Sequence, residues 1–193
     1  MMSEFINQQL DYIFFFYGLA FIVLAFVTLA LNRIDKDRLS WNWLIHSCFL
    51  HGMNEWLDML DISLGDHDFF SLCRLFILGV SFVCLLEFGR TGLHFLKNIK
   101  ISPLFIILLV LTSFWGCLDG LQGLYGSIRY TLGLTGALAA ALTLLFFRQR
   151  YYPESKTLVV AVVALTLYGF FTGLVVPSSA IYPAVWINQE AFF

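Results

Sequence analysis

An all-α, polytopic membrane helix bundle is the fold class this sequence predicts, and three observations predict it. The composition is 60% hydrophobic and 12% charged, with a mean hydropathy of +0.82, whereas a soluble domain carries roughly one quarter charged residues. Long apolar runs recur along the chain at membrane length. None alternates with a period of two, as the strands of a membrane barrel would.

Six such runs fall at about 11–31, 41–60, 69–88, 101–118, 127–147 and 157–176, each near the ~20 residues a helix needs to cross the hydrocarbon core. The first follows MMSEFINQQLD, which has no Lys or Arg and leads to no small-residue cleavage site, so it reads as a span and not as a signal peptide. The second, beginning WNWLIHSCFLHGMNEWLDML, is interrupted by His46, His51, Asn54, Glu55 and Asp58. The third carries Arg74 near its start and Glu87 with Arg90 at its end. The fourth is followed by Asp119 and Gln122, and Arg129 opens the fifth. Small residues at four-residue spacing, Gly133, Ala137 and Ala141 on the fifth and Gly169 and Gly173 on the sixth, allow close helix approach, within the chain or across a homodimer seam.

Of the eleven Lys and Arg, nine fall in three short stretches: Arg33, Lys36 and Arg38; Arg90, Lys97 and Lys100; Arg148, Arg150 and Lys156. The positive-inside rule makes these loops, at about 32–40, 89–102 and 148–156, cytoplasmic and puts the N-terminus outside. Six spans then return residues 177–193 to the outer face. That tail has two prolines and no basic residue; it is expected to lie on the surface or lead to a seventh helix beginning near Glu190.

Several function classes are set aside. The cysteines Cys48, Cys73, Cys84 and Cys117 all lie in expected spans without CxxC spacing, which predicts free thiols. Gly120, Gly123 and Gly126 neither follow a strand nor precede a phosphate-binding lysine. A net charge of -2 favours no nucleic acid.

An ionisable side chain near the centre of a membrane helix costs about 2.5–3.5 kcal/mol on insertion scales, so such residues mark ligands, ion paths or partner networks. At about 100° per residue, Ser47, Asn54, Glu55 and Asp58 all lie within about 60° of His51. A stripe that narrow faces protein or water. His46 points elsewhere and reads as a histidine bonded to a carbonyl or a neighbouring helix. Running from cytoplasm to exterior, the second run puts Asp58 near the outer boundary, Glu55 a turn deeper and His51 near mid-membrane. Arg74 enters from the outside at the depth of Glu55, which predicts a pair with Glu55 or Asp58. The candidate ligand-binding residues are therefore Ser47, His51, Asn54, Glu55, Asp58, Arg74, Asp119, Gln122 and Arg129, gathered in the outer half of the bundle.

HGMNEWLDML (51–60), EFGR (87–90), PAVWINQEAFF (183–193) and the DYIFFFYGLAF opening (11–21) together resemble the N-terminal multi-pass membrane module of bacterial sensor histidine kinases and diguanylate cyclases. The resemblance covers the whole chain, and HGxNEWLD is its most distinctive part. It implies an input domain in the bacterial inner membrane that passes a conformational signal to cytoplasmic signalling domains in cis, with a further span after the AFF end. It implies no particular ligand or cofactor.

The expected function is thus a sensor module whose outward-facing polar pocket binds a small ligand or ion and shifts helix packing, with membrane lipid as its surroundings and no catalysis of its own. The competing class is a metal- or haem-dependent membrane enzyme or redox protein. Metal could be held by His51, Glu55 and Asp58, although a second histidine in reach is missing. Haem would need histidines on facing helices, whereas His67 and His94 fall in expected loops on opposite sides. A small transporter is a third class, for which the sequence shows no repeat.

Overall fold

The computed structural model describes residues 9–34, 39–64, 68–174 and 176, and every regular element among them is helical. The tail at 177–193, residues 35–38 of the expected 32–40 loop and His67 lie outside the described residues. Helix α1 spans Leu10–Ile34, α2 Trp41–Leu64 and α3 Asp68–Lys97. An unbroken helical run of 49 residues then covers Pro103–Tyr151. It consists of α4 (Pro103–Ser113), a 3-10 segment (Phe114–Asp119), α5 (Gly120–Ile128), a π-helical segment (Arg129–Leu134) and α6 (Thr135–Tyr151). Helix α7 spans Lys156–Leu174.

Four helical stretches are long and apolar enough to span a membrane: Leu10–Ile34, Phe69–Lys97, Pro103–Tyr151 and Lys156–Gly173. Helix α2 is long enough at 24 residues, but its polar stripe keeps it out of that set. The outward faces suit lipid, since Phe16, Phe26, Phe76, Leu104 and Leu118 are each more than half exposed.

Six separate spans are not what the hydrogen bonding shows, because the runs expected at 101–118 and 127–147 are joined. The physical reason is Gly120, whose φ of 69° is open to glycine at little cost. Residues seven to eleven apart in a straight helix are at least about 10 Å apart. Yet a Cβ on Gly116 would lie 2.6 Å from Leu124 Cα and from Ser127 Oγ, and against the carbonyl oxygen of Gly123. The chain therefore doubles back at Gly120, with α4 packed against α5 and the π segment, and helical bonding resumes without an intervening loop. Asp119 and Gln122 consequently lie in helical turns and not in a loop, and Arg129, expected to open the fifth run, opens the π-helical segment.

The third run is also longer than expected. At 30 residues α3 measures about 45 Å, against about 30 Å of hydrocarbon, so Arg90, His94 and Lys97 lie on helix and not in the loop foreseen at 89–102. Local bonds make this extension self-sufficient. Arg90 grips Glu87 through Nε to Oε2 at 2.7 Å and Nη2 to Oε1 at 2.5 Å, and also reaches Ile101 O at 3.2 Å. Asn98, at a φ of 57°, ends the helix in the left-handed conformation, its N–H donating to His94 O at 2.9 Å. Helix α4 starts where Ser102 Oγ accepts from Leu104 N at 3.2 Å and Pro103 supplies the first residue. Ser155 Oγ does the same for Leu158 N at 3.3 Å ahead of α7.

The chain divides into two compact units, one holding α1, α2 and α3 as far as Cys84, the other holding Leu85 onward. In the first, glycines set the approach of α1 and α2. A Cβ on Gly18 would fall 2.5 Å from Trp56 Cδ1 and 2.9 Å from Gly52 O, and one on Gly52 would fall 2.8 Å from Gly18 O. In the second, Gly89 lets α3 lie against Ala139 and Ala140 of α6, where Thr143 Oγ1 donates to Gly89 O at 3.0 Å. Gly169 and Gly173 take Ala137 and Leu134 in the same way, so these small residues form a seam within the chain. Arg150 Nη1 reaches Leu96 O at 3.4 Å and Lys97 Nζ lies 4.6 Å from the centre of the Phe146 ring.

Two glycines give opposite expectations for alanine. Gly89→Ala would drive its Cβ to 2.5 Å from Ala139 Cβ and 2.8 Å from the Ala139 carbonyl carbon; such overpacking costs about 1–3 kcal/mol. Gly126→Ala meets nothing within 4 Å and should gain up to about 1 kcal/mol of helix propensity. Thermal unfolding in detergent should show a lower midpoint for the first and an equal or higher one for the second; the reverse order would refute the seam.

Candidate functional site

The HGxNEWLD segment places its residues on two faces of α2. One is the α1 face: Gly52 removes the side chain where the backbones meet, and Trp56 stacks its ring on Phe15 at 6.3 Å while its Nε1 donates to Phe15 O at 3.2 Å. This grip fixes the rotation of α2. The other face, the polar stripe, turns into protein: Ser47, His51, Asn54 and Glu55 are all buried, Asn54 to 1% exposure.

Two groups of bonds tie the stripe to α3. At the more exposed end, Arg74 Nη1 donates to Asp58 Oδ1 at 2.6 Å and meets Asp61 Oδ2 at 3.1 Å, with the three side chains 16%, 17% and 20% exposed. Asp58 also accepts from Asn54 Nδ2 at 3.1 Å. At the buried end, His51 Nε2 lies 3.5 Å from Glu55 Oε1 and His51 Nδ1 lies 3.3 Å from Ser81 Oγ. The imidazole is held edge-to-face by Phe21 of α1 at 4.5 Å between ring centres, and Phe82 of α3 lies tilted at 5.5 Å. Asn54 Oδ1, between these groups, and Asp61 Oδ1, at the more exposed end, are buried acceptors without a hydrogen-bond partner among the described residues.

The expected pairing of Arg74 with Asp58 is present. Asp61, one residue past the expected end of the second run, is a second carboxylate on the same guanidinium, because α2 continues to Leu64. Three residues beyond Asp58, it would have joined the stripe had the apolar run not been ended at Leu60. Ser81 also went unnoticed, although Arg74, Leu78 and Ser81 follow one face of α3 at the four- and three-residue spacing of a helix.

Asp119, Gln122 and Arg129 belong to the second compact unit. Gln122 is exposed on α5, and Asp119 is half-buried ahead of Gly120. Arg129 opens the π-helical segment, its guanidinium 4.6 Å from the centre of the Tyr125 ring and its Nη2 donating to Tyr125 Oη at 3.0 Å. Irregular turns of this kind are frequent at functional positions.

For a metal, His51, Glu55 and Asp58 do not form a ligand set: no three His, Cys, Asp or Glu side chains among the described residues group to hold an ion. His51 faces Glu55, whereas Asp58 turns to Arg74 and Asn54. His46 Nδ1 lies 2.6 Å from Asn42 O on its own helix, and His94, expected in a loop, sits in the last turn of α3. The four cysteines are free. Comparison of the chain with protein-family models, with curated proteins and with solved structures gives no match.

Removing one partner of a buried ion pair costs about 3–5 kcal/mol, and less where water reaches the charges, as at these half-buried side chains. Arg74→Met should therefore lower stability by roughly 1–3 kcal/mol, and adding Asp58→Asn and Asp61→Asn should recover part of the loss. A double-mutant cycle on thermal unfolding reads the coupling. Strictly additive losses would show that the three side chains do not act as a unit.

Proposed function

We propose that the chain is a membrane-embedded sensory input module in which the polar stripe of α2 receives a small ligand or ion and passes its presence on as a change in helix packing. The observation that carries this reading is the orphaned Asn54 Oδ1, sealed to 1% exposure on a stripe that also bears Glu55, Asp58 and Asp61. Leaving a buried acceptor unpaired costs about 1–3 kcal/mol, so a fold that served packing alone would gain by replacing it. A site this rich in acceptors suits a ligand that donates hydrogen bonds or carries positive charge. Signalling further requires that the ligand bind two packings with different affinity. The resemblance of HGMNEWLDML and EFGR to sensor kinase and cyclase input modules supports the same reading and implies output domains in cis.

The reading includes six crossings with the N-terminus outside, the Gly120 reversal dividing Pro103–Tyr151 into two of them. The nine clustered basic residues support that orientation. Single-cysteine variants at Lys97 and Arg150 should resist an impermeant thiol reagent in intact cells and react after permeabilisation. Labelling from the exterior would overturn the orientation.

In a fusion to a signalling output domain, His51→Ala and Asn54→Ala should change the stimulated output while membrane insertion persists. Thermal stability in detergent and output with and without stimulus are measured on each variant. Should every substitution that abolishes the response also collapse stability, the stripe is a packing network and the sensory reading fails.

A further inference from the structure

Two cations are held side by side in the second unit, where α3 ends at Lys97 and α6 at Tyr151. Arg150 Nη1 reaches Leu96 O at 3.4 Å, so its guanidinium lies against the peptide that leads into Lys97. Lys97 Nζ in turn leans onto α6, 4.6 Å from the centre of the Phe146 ring. Phe146 and Arg150 are four residues apart on that helix and share a face. Both charges therefore lie on one face of α6 about a turn apart, and both residues are exposed.

The groups that hold them carry no net charge. A carbonyl and an aromatic ring orient a cation without neutralising it, and like charges this close repel. Between Leu85 and Leu174 the acidic residues are Glu87, Asp119 and Glu154. Glu87 gives both carboxylate oxygens to Arg90. Asp119 lies about 24 Å of helix beyond Pro103, at the far end of the segment that α4 begins. Glu154 forms no ion pair with a described residue. The level in the membrane is that of lipid headgroups, since the length of α3 matches the roughly 40–45 Å of hydrocarbon plus headgroup regions. On the membrane side of the two cations, Phe95 of α3 and Leu142 of α6 are exposed.

We infer that the joint end of α3 and α6 is a binding site for the headgroup phosphate of an anionic phospholipid, gripped by Lys97 and Arg150. The ammonium acts as a point charge on one side of the phosphate and the guanidinium as a planar donor on the other. The acyl chains lie along the exposed apolar side chains of the two helices. A zwitterionic lipid brings its own cation to the same place, so the site discriminates against it. This inference goes beyond the sensory reading and needs only that the chain lies in a bilayer.

The test titrates the purified full chain in detergent with phosphatidylglycerol, or with phosphatidylcholine of the same acyl chains. Native mass spectrometry reads the bound lipid and thermal unfolding reads its effect on stability. Phosphatidylglycerol should bind in preference and raise the unfolding midpoint. Lys97→Gln with Arg150→Gln should weaken that binding by roughly fivefold per charge, about 25-fold in all, whereas Lys97→Arg with Arg150→Lys should retain it. Arg33→Gln with Lys156→Gln removes the same charge from the same expected face of the membrane and should leave binding nearly unchanged. Equal binding of the two lipids by the wild-type chain overturns the site without recourse to any variant. So does an equal loss in the two charge-removing pairs, which would mean diffuse attraction to a basic surface only. A midpoint raised as much by inorganic phosphate would assign the two cations to a soluble anion and overturn the lipid site as well.

Discussion

Charge on a helix that lies among lipid-facing helices is the constraint on which the first unit depends. Helix α2 carries Glu55, Asp58 and Asp61 within two turns, and each would cost several times the thermal energy if turned toward hydrocarbon. Arg74 resolves this from α3 by taking two carboxylates on one guanidinium nitrogen. The rotation of α2 follows. Once its polar stripe is committed to α3, the opposite commitments fall to Gly52 and Trp56, which must meet α1, and the closeness of that meeting explains the glycine at 18.

The second unit is organised by a different rule. Its helices approach through Gly89, Gly169 and Gly173, with Thr143 bonding across to the Gly89 carbonyl. Dispersion between closely set backbones replaces the hydrophobic effect as the source of cohesion where the surroundings are as apolar as the interior. The first unit is thus specified by polar geometry and the second by steric fit. Substitutions should damage the two in different ways, through unpaired charge in one and lost proximity in the other.

Much of the helix content was legible in the sequence because membrane helices announce themselves by length and hydropathy. Helix ends were less so. Lys97 and Arg90 were read as loop because charge usually marks the membrane boundary, yet Glu87, Ile101 and Phe146 satisfy those charges along a helix that simply continues. The stripe was readable from angles alone, and Arg74 from depth. Ser81 was not singled out, since a lone serine in an apolar helix commonly bonds its own backbone, and this one does so as well as meeting His51. The join at Gly120 was hidden for a related reason: three nearby glycines look like a loop, and only the contacts of Gly116 show that the backbone turns while staying helical.

That join has a bearing on how this protein can vary. A loop absorbs an inserted or deleted residue as slack. Where the reversal is itself helical, there is no slack, and one added residue after Gly120 rotates the following helical face by about 100°. Gly123, Gly126, the π segment and the Ala137 ridge would all be presented to the wrong neighbours. The length between Gly116 and Ala137 is therefore quantised: a change in residue number keeps the following faces in register only when it amounts to whole turns.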